Sequence, residues 1–255
     1  MDIGMSEKYN IPNLAKACAV IELLGSAPGG LPLREIIARL DIPRTSAIRI
    51  TQTLLRAGFL AENGQGAYTP GPALVQIGVK AIDRLDITTF ARAVLQALSV
   101  DTGESTHLAM LCGDKSLLVE VADSPRPVRI ASRPGTLVDL HCSATGKVFL
   151  AFAIAEPGLF CRQLDLLPHT GKTNTTVDAV LAAIDQTRKQ GYAIDEEEYV
   201  PGVRCIAAPV VNAFGKTIAA IGITASTSTF TRGRIPAMAK KIKKAAGEIS
   251  ANLGR

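Results

Sequence analysis

Aromatic residues are scarce in this 255-residue chain, at 4 %, and tryptophan is absent. Proteins that bind single-stranded nucleic acid stack its bases on aromatic side chains, so this class of protein is disfavoured. Hydrophobic residues nevertheless make up 47 % of the chain. That content argues against extended disorder and indicates packed cores that are mostly aliphatic.

The sequence also lacks any cysteine pattern typical of a disulfide framework or a zinc finger. Its cysteines are odd in number, widely scattered and contain no CxxC pair. They are Cys18, Cys112, Cys142, Cys161 and Cys205. This usage is typical of reduced thiols in a cytosol.

No run of about 18 apolar residues is present to span a membrane. The first ten residues, MDIGMSEKYN, lack the apolar core of a signal peptide. We therefore expect a soluble, cytoplasmic protein. The formal net charge of +5 and the pI near 9.0 permit an acidic partner such as DNA without requiring one.

The first 71 residues carry the pattern of a winged helix-turn-helix domain. Apolar residues recur at helical spacing over 13–25 and again over 33–40. A break before Pro43 starts a third helix, which ends near Gly58. Two short strands then flank the turn formed by residues 63–66. We expect this domain to span residues 10–71.

The third helix carries no carboxylate, unlike an ordinary solvated helix. A rotation of about 100° per residue places Ala47, Ile50, Thr51 and Leu54 on the inner face. Its outer and N-terminal positions are rich in hydrogen-bond donors suited to base edges and phosphates. The predicted DNA-binding residues are Arg44, Thr45, Ser46, Arg49, Gln52 and Arg56. The first four lie where such helices meet bases, whereas Arg56 is better placed for a phosphate.

Residues 72–85 are expected to form a helix that links two domains. The sequence pattern changes after this helix. Residues 86–255 alternate helical stretches with hairpins, including two strands around the turn at Gly113 and a further strand over 128–132. Strands are also expected within 202–212 and 217–226, and a last helix over 232–252. These patterns predict an α+β protein whose second domain is mixed α/β with a largely antiparallel sheet.

Three segments of this second domain could carry chemistry. HCSATGK at 141–147 places small polar residues where a strand becomes a helix, so its free amides could bind a carboxylate or Ser143 or Thr145 could simply cap the helix. DEEE at 195–198 is interpreted as a solvated acidic run for Glu196 to Glu198. Cys205 lies in an apolar strand, where a cysteine is usually a small hydrophobe.

Two alternatives use Cys205 together with His141 and Asp195, one as a thiol nucleophile and one as a zinc site. No feature flanking Cys205 would lower its pKa, and no ligand pair has the short spacing of a zinc motif. We therefore expect no catalytic residue, no metal and no cofactor. His107 and His169 are expected to be structural or exposed.

The two halves together resemble the IclR family of bacterial transcriptional regulators. The resemblance rests on VIELLGSAPGGLPLREIIARLDIPRTSAIRITQTLLRAGFL in the first half and on DTGESTHLAML, LHCSATGK, GYAIDEEEYVPGVRCIAAPV and AAIGITAS in the second. It implies a GAF-like effector-binding domain, a double-stranded palindromic operator, and homodimers that often pair into tetramers. It also implies a repressor or an activator rather than an enzyme.

The resemblance further implies a pocket for a small effector, which we expect to be an organic acid. The implied lining residues are Met110, Leu140, Ser143, Ala144, Gly146, Asp195, Cys205, Gly222 and Thr224. The chain departs from the family pattern at Gly222 and Thr224, where the last strand often carries serine. It also departs at Pro32, where the short helix often has a Ser or Thr cap.

Overall fold

The chain divides into two compact units, residues 1–84 and 85–255. The computed structural model describes residues 11–83 and 86–253. No helix among these described residues is long and apolar enough to cross a membrane.

The first unit is a winged helix-turn-helix, as the sequence predicts. Its helices are α1 (Pro12–Gly25), α2 (Leu33–Leu40), α3 (Arg44–Arg56) and α4 (Pro72–Asp83). Its strands are β1 (Leu31–Pro32), β2 (Leu60–Glu62) and β3 (Ala67–Pro70), which form an antiparallel sheet in the order β1-β3-β2. Strand β1 is an addition to the predicted hairpin, because two residues are too short for a periodic signal.

The turn between α2 and α3 is built by two backbone features. Asp41 ends α2 in the left-handed region, with φ 48°, and Pro43 precedes the first turn of α3. Ala47 and Ile50 then face the core, where they pack with Val20 of α1 and other apolar residues. This packing fixes the inner face of α3 and leaves its opposite face to solvent.

Pro32 stands at the N-cap of α2 without a side-chain hydrogen bond, as expected from its lack of a hydroxyl group. It pairs with Ala67 in the small sheet instead. A missing cap of this kind costs about 1 kcal/mol. The core contacts of Leu31 and Ile36 on either side hold the start of α2 in place.

The second unit is a mixed α/β domain. Its helices are α5 (Asp86–Thr102), α6 (Ala144–Phe152), α7 (Pro157–Gln163), α8 (Val177–Gln190) and α9 (Ile235–Leu253), the last preceded by a 3₁₀ turn at Arg232–Arg234. Its strands are β4 (Ser105–Cys112), β5 (Lys115–Ala122), β6 (Leu137–Asp139), β7 (Ala193–Glu196), β8 (Val203–Val211) and β9 (Thr217–Ser226). The six strands form one antiparallel sheet in the order β6-β5-β4-β9-β8-β7.

Strand alternation gives this sheet two apolar faces. On one face, Ile206 and Ile221 pack in a core with Leu95 of α5 and Ile242 of α9. On the other face, Ala207 belongs to a second core with residues of α6 and α8. The predicted alternation of Cys205 and Ala207 against Arg204 and Ile206 is therefore what the sheet shows.

In this unit the sequence analysis is wrong about one predicted strand and misses one strand and one helix. Residues 128–132 do not form a strand: Val128 is 90 % exposed, so its β-branched side chain has no core to join. Conversely, β7 and α7 were not predicted, because each is short and weakly periodic.

The acidic run at 195–198 is not simply solvated. Glu198 is buried and forms an ion pair with the buried Lys147 of α6. Glu196 pairs with the buried Arg204 of the neighbouring strand. A buried charge needs such a partner, so this run connects β7 to α6 and to β8.

Candidate nucleic-acid interface and ligand pocket

The outward face of α3 is the candidate nucleic-acid interface. Arg44, Thr45, Arg49, Gln52 and Arg56 are all exposed, whereas Ser46 is half-buried at the first turn. No ion pair to any of the three arginines is found within the part of the chain that the structure describes. These guanidinium groups are therefore available to bind phosphates or base edges.

The wing follows α3 and its tip is held by one asparagine. The Asn63 side-chain oxygen accepts hydrogen bonds from the backbone N–H groups of Gln65 and Ala67, both at 3.0 Å. Its amide group donates to the carbonyl of Gly29 at 3.3 Å. The tip carries no cationic side chain, so the wing tip adds no positive charge to this surface.

A cavity of about 410 Å³ opens on the α6 face of the second unit. Five of the nine effector-binding residues predicted from the resemblance line it. They are Ser143, Ala144, Asp195, Cys205 and Thr224. The remaining wall is largely apolar and includes Leu118, Ile130, Val138, Val200 and Val203. A mostly apolar cavity with a few polar groups is typical of a small-molecule site.

Strand register brings three of these residues together. Asp195 of β7 is opposite Cys205 of β8, and Cys205 is opposite Thr224 of β9. Residues paired in this way point to the same face of a sheet. The Cys205 Sγ lies 3.3 Å from the Thr224 Oγ1, so this row forms a continuous polar strip on the cavity floor.

The next cross-strand row on this face of the sheet, which extends to β4, explains why residue 222 is a glycine. Ala193, Ala207 and Gly222 lie in register with His107 of β4. A Cβ at Gly222 would lie 2.3 Å from the Nε2 of His107. Gly222 therefore does not line the cavity itself but leaves the space that the His107 ring occupies.

His107 lines the cavity, a role for which the sequence carries no local signal. It is 5 % exposed, and its Nδ1 is buried without a hydrogen-bond partner among the described residues. Burial lowers its pKa to about 4, so the ring is neutral near pH 7. The neutral imidazole thus places a polar ring at the cavity wall, with its Nδ1 enclosed by protein.

Met110, Leu140 and Gly146 lie outside the cavity wall. Met110 packs against the core on the opposite face of the sheet, and Leu140 is buried in the α6 core. Gly146 is in tight contact with the backbone below, since a Cβ there would lie 2.4 Å from the Leu140 Cα. These three positions support the cavity without lining it.

Ser143 caps α6. Its hydroxyl group accepts a hydrogen bond from the Gly146 N–H at 3.1 Å and donates one to the Asp139 carbonyl at 2.6 Å. Of the two interpretations of this segment, the structure shows the helix cap. Ala144 and Thr145, at the first turn, also line the cavity, and the N–H groups of a first helical turn have no partner within the helix.

Asp195 is the predicted lining residue that carries a carboxyl group, and the pKa of this group is strongly raised. It is 2 % exposed and accepts hydrogen bonds from the backbone N–H groups of Glu198 at 2.7 Å and Tyr199 at 3.4 Å. Burial raises its pKa to about 7, although these hydrogen bonds and the nearby Lys147 charge oppose the rise. The carboxyl group therefore titrates close to neutral pH.

Cys205 does not have the environment of a nucleophile. Burial and the Asp195 carboxylate raise the pKa of its thiol far above its ordinary value. The alternative zinc site is not formed either, because Cys205, His141 and Asp195 do not bring their ligand atoms together. Within the described ranges, His141 groups instead with Cys142 and His169.

Arg133 and Tyr199 also line the cavity and were missed by sequence reasoning. Both lie in irregular segments, where no periodicity indicates which way a side chain faces. Arg133 is the one cationic side chain of the described cavity wall.

The chain combines a winged helix-turn-helix, whose third helix exposes arginines without ion-pair partners among the described residues, with a domain that holds a ligand-type cavity. This combination is that of a helix-turn-helix transcriptional regulator. Two family models together match most of the sequence. "IclR helix-turn-helix domain" matches residues 13–64, and "Bacterial transcriptional regulator IclR C-terminal" matches residues 79–251. The chain belongs to the IclR family, whose members are regulators rather than enzymes.

Its relatives match along nearly their whole length. The HTH-type transcriptional regulator BhcR of Paracoccus denitrificans is 32 % identical over 250 residues, covering 97 % of this chain and 89 % of the relative. KdgR of Escherichia coli is 30 % identical, with 96 % and 94 % covered. The crystal structure of an IclR transcriptional regulator from Alicyclobacillus acidocaldarius superposes with a TM-score of 0.83 at 28 % identity, covering 96 % of this chain and 100 % of that one.

Proposed function

We propose that this regulator binds a palindromic DNA operator and senses a small organic acid in the cavity of its second unit. The observation that supports the proposal best is the cavity itself, because its floor carries Asp195, Cys205 and Thr224 while its neighbour α6 presents its first turn to it. A repressor and an activator would share these features.

On the DNA side, the N-terminal half of α3 is assigned to bases. Arg44, Thr45, Ser46 and Arg49 occupy the part of a recognition helix that enters the major groove. Gln52 lies one turn further along the same exposed face. Arg56, at the end of the helix, is assigned to a backbone phosphate, which contributes affinity but no sequence information.

On the ligand side, the cavity favours an acid with an apolar body. The free N–H groups at the start of α6 suit a carboxylate, and the guanidinium of Arg133 gives a second positive group in the same cavity. His107 adds a polar ring at the floor, and the aliphatic wall accepts a hydrocarbon or aromatic portion. A volume of about 410 Å³ exceeds what a two- or three-carbon acid needs and falls within the usual range for organic ligands.

A palindromic operator requires two recognition helices related by a twofold axis, so the proposed active form is a homodimer or a dimer of dimers. Residues 10–71 are assigned to DNA binding, 72–85 to a linker helix, and 86–255 to effector binding and oligomerisation. Effector binding would change the spacing of the two helices. A coupling of about 1–3 kcal/mol between ligand and operator is typical of such switches.

The ligand half is tested by a thermal-shift panel of organic acids on full-length wild-type protein and two matched cysteine variants. Cys205→Ser changes the cavity floor, whereas Cys161→Ser changes a buried thiol outside the cavity wall. We expect at least one acid to stabilise the wild type and Cys161→Ser, and to stabilise Cys205→Ser to a different extent. DNA binding without ligand should be retained in both variants.

Two results would contradict this ligand assignment. One is a panel in which no acid shifts the wild type. The other is an acid whose effect is unchanged by Cys205→Ser and also by His107→Ala, since both residues line the cavity.

A further inference from the structure

We propose that His141, Cys142 and His169 form a zinc site beside the ligand cavity. One ligand atom from each residue lies within 4.8 Å of the other two. Among the described residues, this is the one group of three or more His, Cys, Asp or Glu side chains that meets this criterion. None of the three lines the cavity, so the site is separate from the proposed effector site.

The fold brings the three ligands together from two segments. His141 and Cys142 are buried between β6 and α6, whereas His169 is exposed in the segment between α7 and α8. Tetrahedral zinc with Zn–N near 2.0–2.1 Å and Zn–S near 2.3 Å places ligand atoms about 3.5 Å apart. Small side-chain rotations close the remaining gap, and the exposed His169 gives an ion a path to the buried pair.

Both imidazoles already have the outer hydrogen bonds that zinc-binding histidines use. The Nε2 of His141 lies 3.0 Å from the Leu167 carbonyl oxygen, which can only accept. That Nε2 therefore carries the proton, and Nδ1 keeps its lone pair for a metal. The Nε2 of His169 lies 2.5 Å from an Asp139 carboxylate oxygen, and Asp139 is itself paired with Lys115. This carboxylate–histidine arrangement is the one that fixes ring orientation in zinc sites.

The donor set selects the ion. Two imidazole nitrogens and one thiolate suit zinc and not magnesium or calcium, which prefer oxygen ligands. Three protein ligands leave a fourth position for water or an external ligand. Binding would join the His169 segment to the start of α6. The ring of His169 also lies 4.7 Å from that of Tyr199, a residue of the cavity wall.

Cobalt substitution tests the site independently of DNA or effector binding. Full-length protein is freed of metal by a chelator under a phosphine reductant and then titrated with Co²⁺, which reports a thiolate ligand by its charge-transfer absorption. We expect one Co²⁺ per chain with this band, and its displacement by Zn²⁺. Zinc should also raise the Tm of the wild-type protein, since it binds the folded state.

Three variants assign the ligands. Cys142→Ser should abolish the charge-transfer band, and the surface variant His169→Ala should weaken Co²⁺ binding about 10-fold or more. Cys205→Ser, the matched control, should keep both the band and the affinity. Absence of stoichiometric binding in the wild type would overturn the proposal. So would a band that survives Cys142→Ser in folded protein, an unchanged affinity in His169→Ala, or loss of the band in Cys205→Ser.

Discussion

At the scale of single residues, the cavity depends on a side chain of β4 that fills the space left by a glycine of β9. Gly222 has no side chain, and the His107 ring occupies the space that a Cβ would need. Ala193 and Ala207, in the same cross-strand row, are also small. The polar group of this row is therefore supplied by β4 and not by β9.

Gly222→Ala should be destabilising because its Cβ would lie 2.3 Å from the His107 Nε2. Overpacking of this kind costs about 1–3 kcal/mol. In a His107→Ala background, the same change should cost much less, since the ring that it displaces is gone. Urea unfolding of the four proteins in this double-mutant cycle measures the coupling. Additive effects would show that the two side chains do not compete for the same space.

Asp195 gives the stability of the protein a pH dependence whose sign follows from its raised pKa. The folded value is about 7 and the unfolded value about 3.9, so the folded state holds the proton more tightly. This contribution is complete below about pH 4 and is lost as the pH rises through about 7, a difference of a few kcal/mol.

Asp195→Asn removes this titration and keeps an oxygen to accept the Glu198 N–H bond. The variant should therefore gain stability relative to the wild type between about pH 5 and pH 8. Thermal unfolding of both proteins across this range measures the difference. A difference that is constant with pH, or that favours the wild type as the pH rises, would contradict a neutral buried carboxyl group.

Arg49→Ala tests direct reading of bases. If the exposed guanidinium makes a bidentate contact with a base, its loss should cost about 1–3 kcal/mol of specific binding. Fluorescence anisotropy with a selected operator and with unrelated duplex DNA measures both affinities. Arg162→Ala is the control, because it makes the same charge change at an exposed residue of α7 in the other unit. Unchanged operator affinity in Arg49→Ala would remove this role.

At the scale of elements, the proposed assignment gives α3 two functions along one face. Its first turns would meet bases and its last turn, with Arg56, the phosphate backbone. The inner face is occupied by Ala47, Ile50 and Thr51, whose hydroxyl group donates to the Ala47 carbonyl at 2.9 Å. Substitutions on the outer face should therefore change DNA binding without unfolding the domain.

Arg56→Ala should weaken binding to all duplex sequences by a similar factor. The slope of log affinity against log salt concentration should become shallower by about 1, because one fewer phosphate is neutralised. Titrations at several salt concentrations measure this slope. A loss confined to the selected operator would instead place Arg56 at a base.

Sequence periodicity predicted the elements whose core contacts repeat regularly. α3 follows the helical spacing because one of its faces is buried, whereas β8 and β9 are apolar runs because both faces of their sheet are covered. The segment 128–132 has strand-like residues but no partner strand, and the two-residue β1 leaves no periodic pattern. Pairing between distant segments, which decides both cases, is not encoded in local spacing.

The cavity was predictable only in part, for the same reason. The family resemblance pointed to Asp195, Cys205 and Thr224, which do line it, but also to Met110, whose side chain packs on the other face of the sheet. His107 required knowledge of the strand register, since its relation to Gly222 joins residues 115 positions apart. Such a relation emerges only when the sheet is assembled.

At the scale of the whole molecule, one chain of the IclR family combines a helix-turn-helix unit with a unit that holds a ligand-type cavity. A coupling of about 1–3 kcal/mol corresponds to a change in operator affinity of about 5- to 150-fold on addition of the effector. By the reciprocity of linkage, the operator should change the affinity for the effector by the same factor.

Selection of duplex DNA from a random pool is the decisive test of the proposed regulator. The full-length protein would be used at about 0.15 M salt, both alone and with a mixture of organic acids, so that a form requiring its ligand is also sampled. We expect enrichment of a palindrome with two half-sites, to a degree that the acids alter. A pool that remains random under both conditions would contradict the proposed function.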